Sequence, residues 1–181
     1  MREEFGMAYT LDEMVEDCRV ALKTDAGAVG RHEVRKYVEK ACLDKEFVSK
    51  YLGPDNDLPR TIIHQDEGPG GFHISVNVVG PKTGVPHDHG PSWAIYGIAS
   101  GVNEMTDWCC LEQPVERQAG KVVKVKSYEL PAGTAHLYNE GDLHSTRRTD
   151  EVRMVRVEST DFLKARRARF EVMDLLPTCK S

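Results

Sequence analysis

The hydrophobic pattern of this chain changes period near Arg60, and that change restricts the possible folds more than any other feature. Before it, apolar residues recur every three or four positions: Leu11, Met14, Val15, Cys18 and Leu22, then Val34, Tyr37, Val38, Ala41 and Cys42, then Phe47, Val48, Tyr51 and Leu52. This is the spacing of one helix face. Thr10 followed by Glu13 makes a capping-box pair and predicts a first helix over residues 11–23, while Gly53 and Pro54 stop the third. From residue 60 onward the period is two. Phe72, Ile74, Val76 and Val78 alternate with His73, Ser75, Asn77 and Val79, and strands are also expected over 93–100, 103–111, 121–128, 133–138, 143–148 and 152–160. Many short strands separated by Gly, Pro and Asp/Asn clusters favour an antiparallel sandwich or small barrel. The first fifty residues form a helical lead-in whose apolar faces must pack on something else. Residues 162–176 are expected to be helical, ended by Pro177. There is no internal repeat or low-complexity segment.

The 181 residues fit one domain, read as a helical lead-in over 1–55, a β-barrel over 60–160 and a tail over 161–181. A hydrophobic fraction of 40% with 29% charged residues is that of a soluble globular protein, and no apolar run approaches the ~20 residues a membrane span needs. The N-terminus, MREEFGMAYTLDEM, is acidic and lacks the apolar core of a signal peptide, so a cytoplasmic location is expected. A net charge of −5 argues against a nucleic-acid partner, and the basic run at 164–169 reads as a solvated helix face. Cys18, Cys42, Cys109, Cys110 and Cys179 are odd in number and lack C-x-x-C spacing, which suggests reduced thiols in a cytosol, with the vicinal Cys109 and Cys110 as the oxidation-sensitive positions. Oligomeric state is not legible.

The chemistry concentrates in VPHDHGPSWAIYGIASG, residues 85–101. In an extended segment His87 and His89 aim their imidazoles into one space, which is half of a metal site. Asp88, between them, falls on the opposite face. A third ligand must come from a distant strand, and two histidines compete for the place: His136 in PAGTAHLYN and His144 in NEGDLHSTRR. Taken alone, the P-x-G-x-x-H turn ending at His136 looks the better.

The longer pattern resembles the two cupin motifs, G-x5-H-x-H-x3-4-E-x6-G and G-x5-P-x-G-x2-H-x3-N. In the second, Gly133, Gly141 and His144 keep their places, with Asn139 in the proline position and Arg148 in the asparagine position. In the first, His87, His89 and Gly101 are kept, the opening glycine is displaced to Gly80, and the glutamate position falls on Trp93 or Ala94. The resemblance therefore selects His144 and implies a mainly β fold, the cupin double-stranded β-helix or jelly-roll-like barrel with short N-terminal helices. Three histidines without a carboxylate are similar to the cysteine and thiol dioxygenases. That likeness implies Fe(II) on His87, His89 and His144, a small-molecule substrate and O2 as partners, and Arg60 as the arginine that holds a substrate carboxylate. Losing the carboxylate ligand leaves the ion more positive, which favours anionic substrates.

One element of that family is missing. The Ser-x-His-x-Tyr relay position is occupied by Val155, Arg156, Val157, Glu158 and Ser159. Val155 and Val157 are expected to line a drier cavity in its place, together with Trp93 and Tyr96. Polar groups for acid or base work are then sought among His73, Tyr96 and His64. Two alternatives stand beside the dioxygenase reading: a three-histidine oxygenase that cleaves a diketone-like substrate, and a metal-containing binding or sensor protein without turnover.

Overall fold

The computed structural model describes residues 8–68, 70–115, 118–159 and 168–173. Three helices lead: α1 (Leu11–Thr24), α2 (Ala28–Leu43) and α3 (Lys45–Leu52). Thr10 Oγ1 accepts from the Glu13 amide at 3.2 Å while Glu13 reaches back to the Thr10 amide at 2.8 Å, so the capping box forms. Asp44 caps α3 by accepting from the Phe47 amide at 2.8 Å.

Among the described residues ten strands follow: β1 (Thr61–Gln65), β2 (Phe72–Val79), β3 (Lys82–Thr83), β4 (Ala94–Ser100), β5 (Val102–Glu112), β6 (Gly120–Pro131), β7 (Ala135–Tyr138), β8 (His144–Arg148), β9 (Val152–Ser159) and β10 (Phe170–Val172). They build two five-stranded sheets, ordered β1-β2-β9-β4-β7 and β10-β6-β5-β8-β3. Between β2 and β9 the chain passes repeatedly from one sheet to the other, which is the winding of a jelly roll, or double-stranded β-helix. Pairing is antiparallel except for β10 on β6. That strand corrects the expected C-terminal helix where the residues are described: Phe170, Glu171 and Val172 pair with Gly120, Lys121 and Val122, so ladder bonds override the local helical pattern. The remainder of that expected helix lies outside the described residues.

The first sheet is buried on both faces. On its outer side Phe72, Ile74, Val76, Val155 and Val157 pack against Met14, Val34, Val38 and Phe47 of the helices. Gly97 on β4 permits this approach, since a Cβ there would stand 2.3 Å from Val38 Cγ1. On the inner side, Ile98, Met105, Leu130, Val152 and Met154 form a smaller barrel core. The lead-in helices thus satisfy their apolar faces on the outside of the barrel, and the strands' alternate residues are left to face its interior.

Cys18, Cys42 and Cys110 are free thiols, and burial pushes Cys18 and Cys42 up to about 12. Cys109 is disulfide-bonded, so the expectation of reduced thiols fails at that position. No helix among the described residues is long and apolar enough to cross a membrane.

Candidate metal centre

His87 does not sit on a regular strand as expected. It forms an isolated antiparallel bridge with the first residue of β8: His87 N–H donates to His144 O at 3.0 Å and His144 N–H to His87 O at 2.9 Å. Residues so paired project to the same side, which brings two imidazoles together across a sequence gap. His89 enters two residues later. The ring centroids lie 4.6 Å (His87–His144), 4.8 Å (His89–His144) and 5.7 Å (His87–His89) apart, with one ligand nitrogen from each within 4.8 Å of the others. His144 is aimed by the turn before it, where Asp142 N–H donates to Asn139 O at 3.2 Å and Gly141 takes φ +79°, a left-handed value that a side chain would strain.

The tautomers are set by backbone carbonyls. Nδ1 of His87 donates to Val85 O at 3.0 Å and Nδ1 of His144 to Asp142 O at 2.9 Å, which leaves each Nε2 with its lone pair. The His144 Nε2 is buried and has no hydrogen-bond partner among the described residues. A buried acceptor left so costs on the order of 1–3 kcal/mol, which a metal ion would offset. Burial, with the neighbouring His87, pushes His144 down to about 3, so it stays neutral and ready to ligate. Three neutral imidazoles suit a transition metal ion such as iron or zinc rather than calcium or magnesium. The residues present fit such an ion.

His87 and His144 line a cavity of about 740 Å³. Its walls combine apolar Val79, Met105 and Met154 with Tyr96 and with the cationic Arg60, Arg148 and Arg156. Tyr96 Oη lies 3.0 Å from His89 Nε2 and accepts from Arg156 Nη2 at 3.0 Å. Arg156 also pairs with Glu158, whose other oxygen accepts from Arg60 Nη2 at 3.1 Å and lies 2.9 Å from His73 Nε2. Burial would raise the Glu158 carboxyl, but Arg156, the His73 hydrogen bond and Arg60 outweigh it and hold it below the ordinary value.

A second polar cluster backs the histidines. Tyr138 stacks on His144 at 3.8 Å between centroids. Its hydroxyl lies 2.8 Å from that of Tyr128, which donates to Asp107 at 3.0 Å and lies 3.2 Å from His136 Nε2. Burial is the main cause that raises both tyrosines and lowers His136. His136 is therefore part of the wall behind His144, and the cluster of ligand nitrogens does not include it.

Several expected positions move. Val157 is fully buried in the core under the helices, as is Val155, so neither lines the cavity. The residues of β9 that do are Met154 and Arg156, one position away, because the apolar face of β9 serves the helices. The expected drier pocket is thus a polar, cationic one. Trp93 is also buried with the helices, under Arg31, whose guanidinium lies 5.7 Å from its ring. Tyr96 and Arg60 do line the cavity, Arg60 already braced by Glu158. His64 pairs with Asp66 at 2.9 Å, next to Arg19 and away from the cavity. Asp88 accepts from the Gly90 amide at 3.0 Å and shapes the loop between the ligands. Arg156 and Glu158 join the site without having been expected there, and the signal for them is in the sequence: charges at alternate positions of an apolar strand mark a sheet buried on both sides.

No family model and no curated protein matches the chain. Among solved structures, a double-stranded β-helix protein from Klebsiella pneumoniae is 18% identical and aligns over 68% of this chain and 88% of its own, with a TM-score of 0.44. A cupin-2 domain protein from Shewanella frigidimarina is 14% identical over 61% of this chain and 89% of its own, with a TM-score of 0.42. The Cnp3 cupin domain of Schizosaccharomyces pombe is 13% identical over 61% and 68%, also with a TM-score of 0.42. The sheet order of this chain itself decides the architecture. It is a double-stranded β-helix.

Proposed function

We propose that the chain is a non-haem Fe(II) dioxygenase acting on a small organic substrate held in the barrel cavity. The observation that carries this reading is the cluster of His87, His89 and His144, which includes no carboxylate among the described residues and of which His87 and His144 line that cavity. A ferrous ion there would supply the redox chemistry that activates O2, and three neutral ligands would leave its charge to attract an anionic substrate.

The chain's own residues have distinct roles in this reading. Asp142 O and Val85 O orient the imidazoles, and Tyr138 fixes the plane of His144. With the His89 lone pair committed to a metal, Tyr96 Oη accepts from Arg156 and directs its own proton into the cavity, where it can be given to or taken from substrate. Met105, Met154 and Val79 exclude water from one wall. Glu158 braces Arg60 and Arg156, and Arg60 contributes positive charge at the cavity wall.

The test is metal analysis of the purified protein, followed by oxygen uptake with thiols and diketones on iron-loaded and zinc-loaded samples. Uptake with iron alone is expected, since zinc has no redox step. Equal turnover with both metals would mean Lewis-acid chemistry. A flat trace for every substrate, with saturable ligand binding, would make the protein a binding or sensor cupin.

A further inference from the structure

We propose that Arg148 is the anion-recognition residue of the cavity, and that the ligand is an organic oxyanion with an apolar body whose charged head is held far from the histidines. The inference rests on the preceding section only in taking the cavity as the ligand site. His144, Thr146 and Arg148 alternate along β8, and all three line the cavity. At roughly 3.3 Å per residue, the Cα of Arg148 is on the order of 13 Å along the strand from that of His144. Met105 pairs with Thr146 between these two positions, and Val79 and Met154 add apolar surface to the cavity wall.

Of the four arginines that line the cavity, Arg169 is exposed, and the other three differ in their counter-ions. Arg60 and Arg156 share Glu158, which compensates one of their two charges. Arg148 is half-buried, yet its hydrogen bonds go to neutral acceptors: Nε donates to Gly80 O and one Nη to Thr146 Oγ1, both at 3.2 Å. No carboxylate among the described residues pairs with it, and its Nη2 donates to no acceptor among them. A guanidinium withdrawn from water, aimed into a cavity and held on one edge by neutral carbonyl and hydroxyl groups presents its remaining donors as a fork for an oxyanion. Burial lowers its pKa from the ordinary arginine value, the direction expected of a cation lacking a counter-ion.

The experiment measures binding without turnover, on metal-free and on iron-loaded protein, by titration calorimetry. The probes are 3-phenylpropionate, phenyl phosphate and the neutral 3-phenylpropanamide, against wild type, Arg148→Asn and Arg148→Lys. Both anions are expected to bind wild type more tightly than the amide. Arg148→Asn should weaken the anions by about 10–100-fold and leave the amide unchanged, since one charged hydrogen-bond partner is lost. Arg148→Lys should fall between, keeping charge but losing the fork. Tighter binding of phenylpropionate assigns the head as a carboxylate, and tighter binding of phenyl phosphate assigns it as a phosphate monoester. Unchanged anion affinity in Arg148→Asn overturns the proposal. So does an equal loss for the amide in both variants, which marks a structural role, or an anion affinity in wild type no better than the amide's. Absent oxygen uptake with Arg148-dependent anion binding intact would sink the dioxygenase reading alone.

Discussion

The two faces of the first sheet are built from the same strands and do opposite work. Toward the helices, β2 and β9 present Phe72, Ile74, Val76, Val155 and Val157, an apolar face that closes the main core. Toward the barrel interior, the intervening positions carry the buried Asn77 and, tied into one network with Arg60 and Tyr96, the buried or half-buried His73, Arg156 and Glu158. The outer face is held by area removed from water, roughly 25 cal/mol per Å² and indifferent to geometry. The inner face is held by paired charges whose loss one at a time is costly. Stability should therefore respond to methylene deletions outside and to charge deletions inside, while ligand chemistry responds only to the latter.

The largest effect should come from Glu158→Gln. It leaves Arg60 and Arg156 facing each other without their shared carboxylate, and breaking buried pairs in this way costs about 3–5 kcal/mol, less where solvent reaches Arg60. Urea unfolding measures it, and a cost below about 0.5 kcal/mol would show the network to be solvated. Next, Val157→Ala should cost about 1–3 kcal/mol as a core truncation and leave ligand affinity unchanged. A shift in affinity without a shift in stability would place Val157 in the cavity after all and reverse the two faces. The smallest effect is a pH dependence. Glu158 has a folded pKa below the ordinary 4.5, so its contribution is fully present above that pH and is lost as the pH falls through the lowered folded value. The difference in unfolding free energy between wild type and Glu158→Gln should accordingly narrow below pH 4.5 and stay constant above it.

The same contrast explains what the sequence revealed. The strands of the barrel declared themselves by period two, and α1 by its capping box, because both signals are local. The turn that aims His144 was legible through Gly141 and the resemblance of its spacing, whereas β3 has two residues and β10 depends on its pairing with β6. Neither leaves a periodic trace. The misplaced residues, Val155, Val157 and Trp93, share one cause: alternation says which residues share a face and not which face meets the cavity. The lead-in helices held the missing information. Their apolar faces needed a partner, and giving them the Val155 and Val157 side of β9 turns Arg156 and Glu158 inward.

The most direct test of the metal centre compares His144→Ala with His136→Ala after saturation with iron, reading metal content per chain with circular dichroism to confirm folding. His144 offers a buried nitrogen to the cluster, while His136 belongs to the Tyr128 and Tyr138 wall behind it. Loss of a supporting group typically weakens metal binding by roughly 10–100-fold, and loss of one of three ligands should exceed that. The predicted result is no tightly bound metal in His144→Ala and retained metal in His136→Ala. Metal kept by His144→Ala and lost from His136→Ala would contradict the site described for this protein.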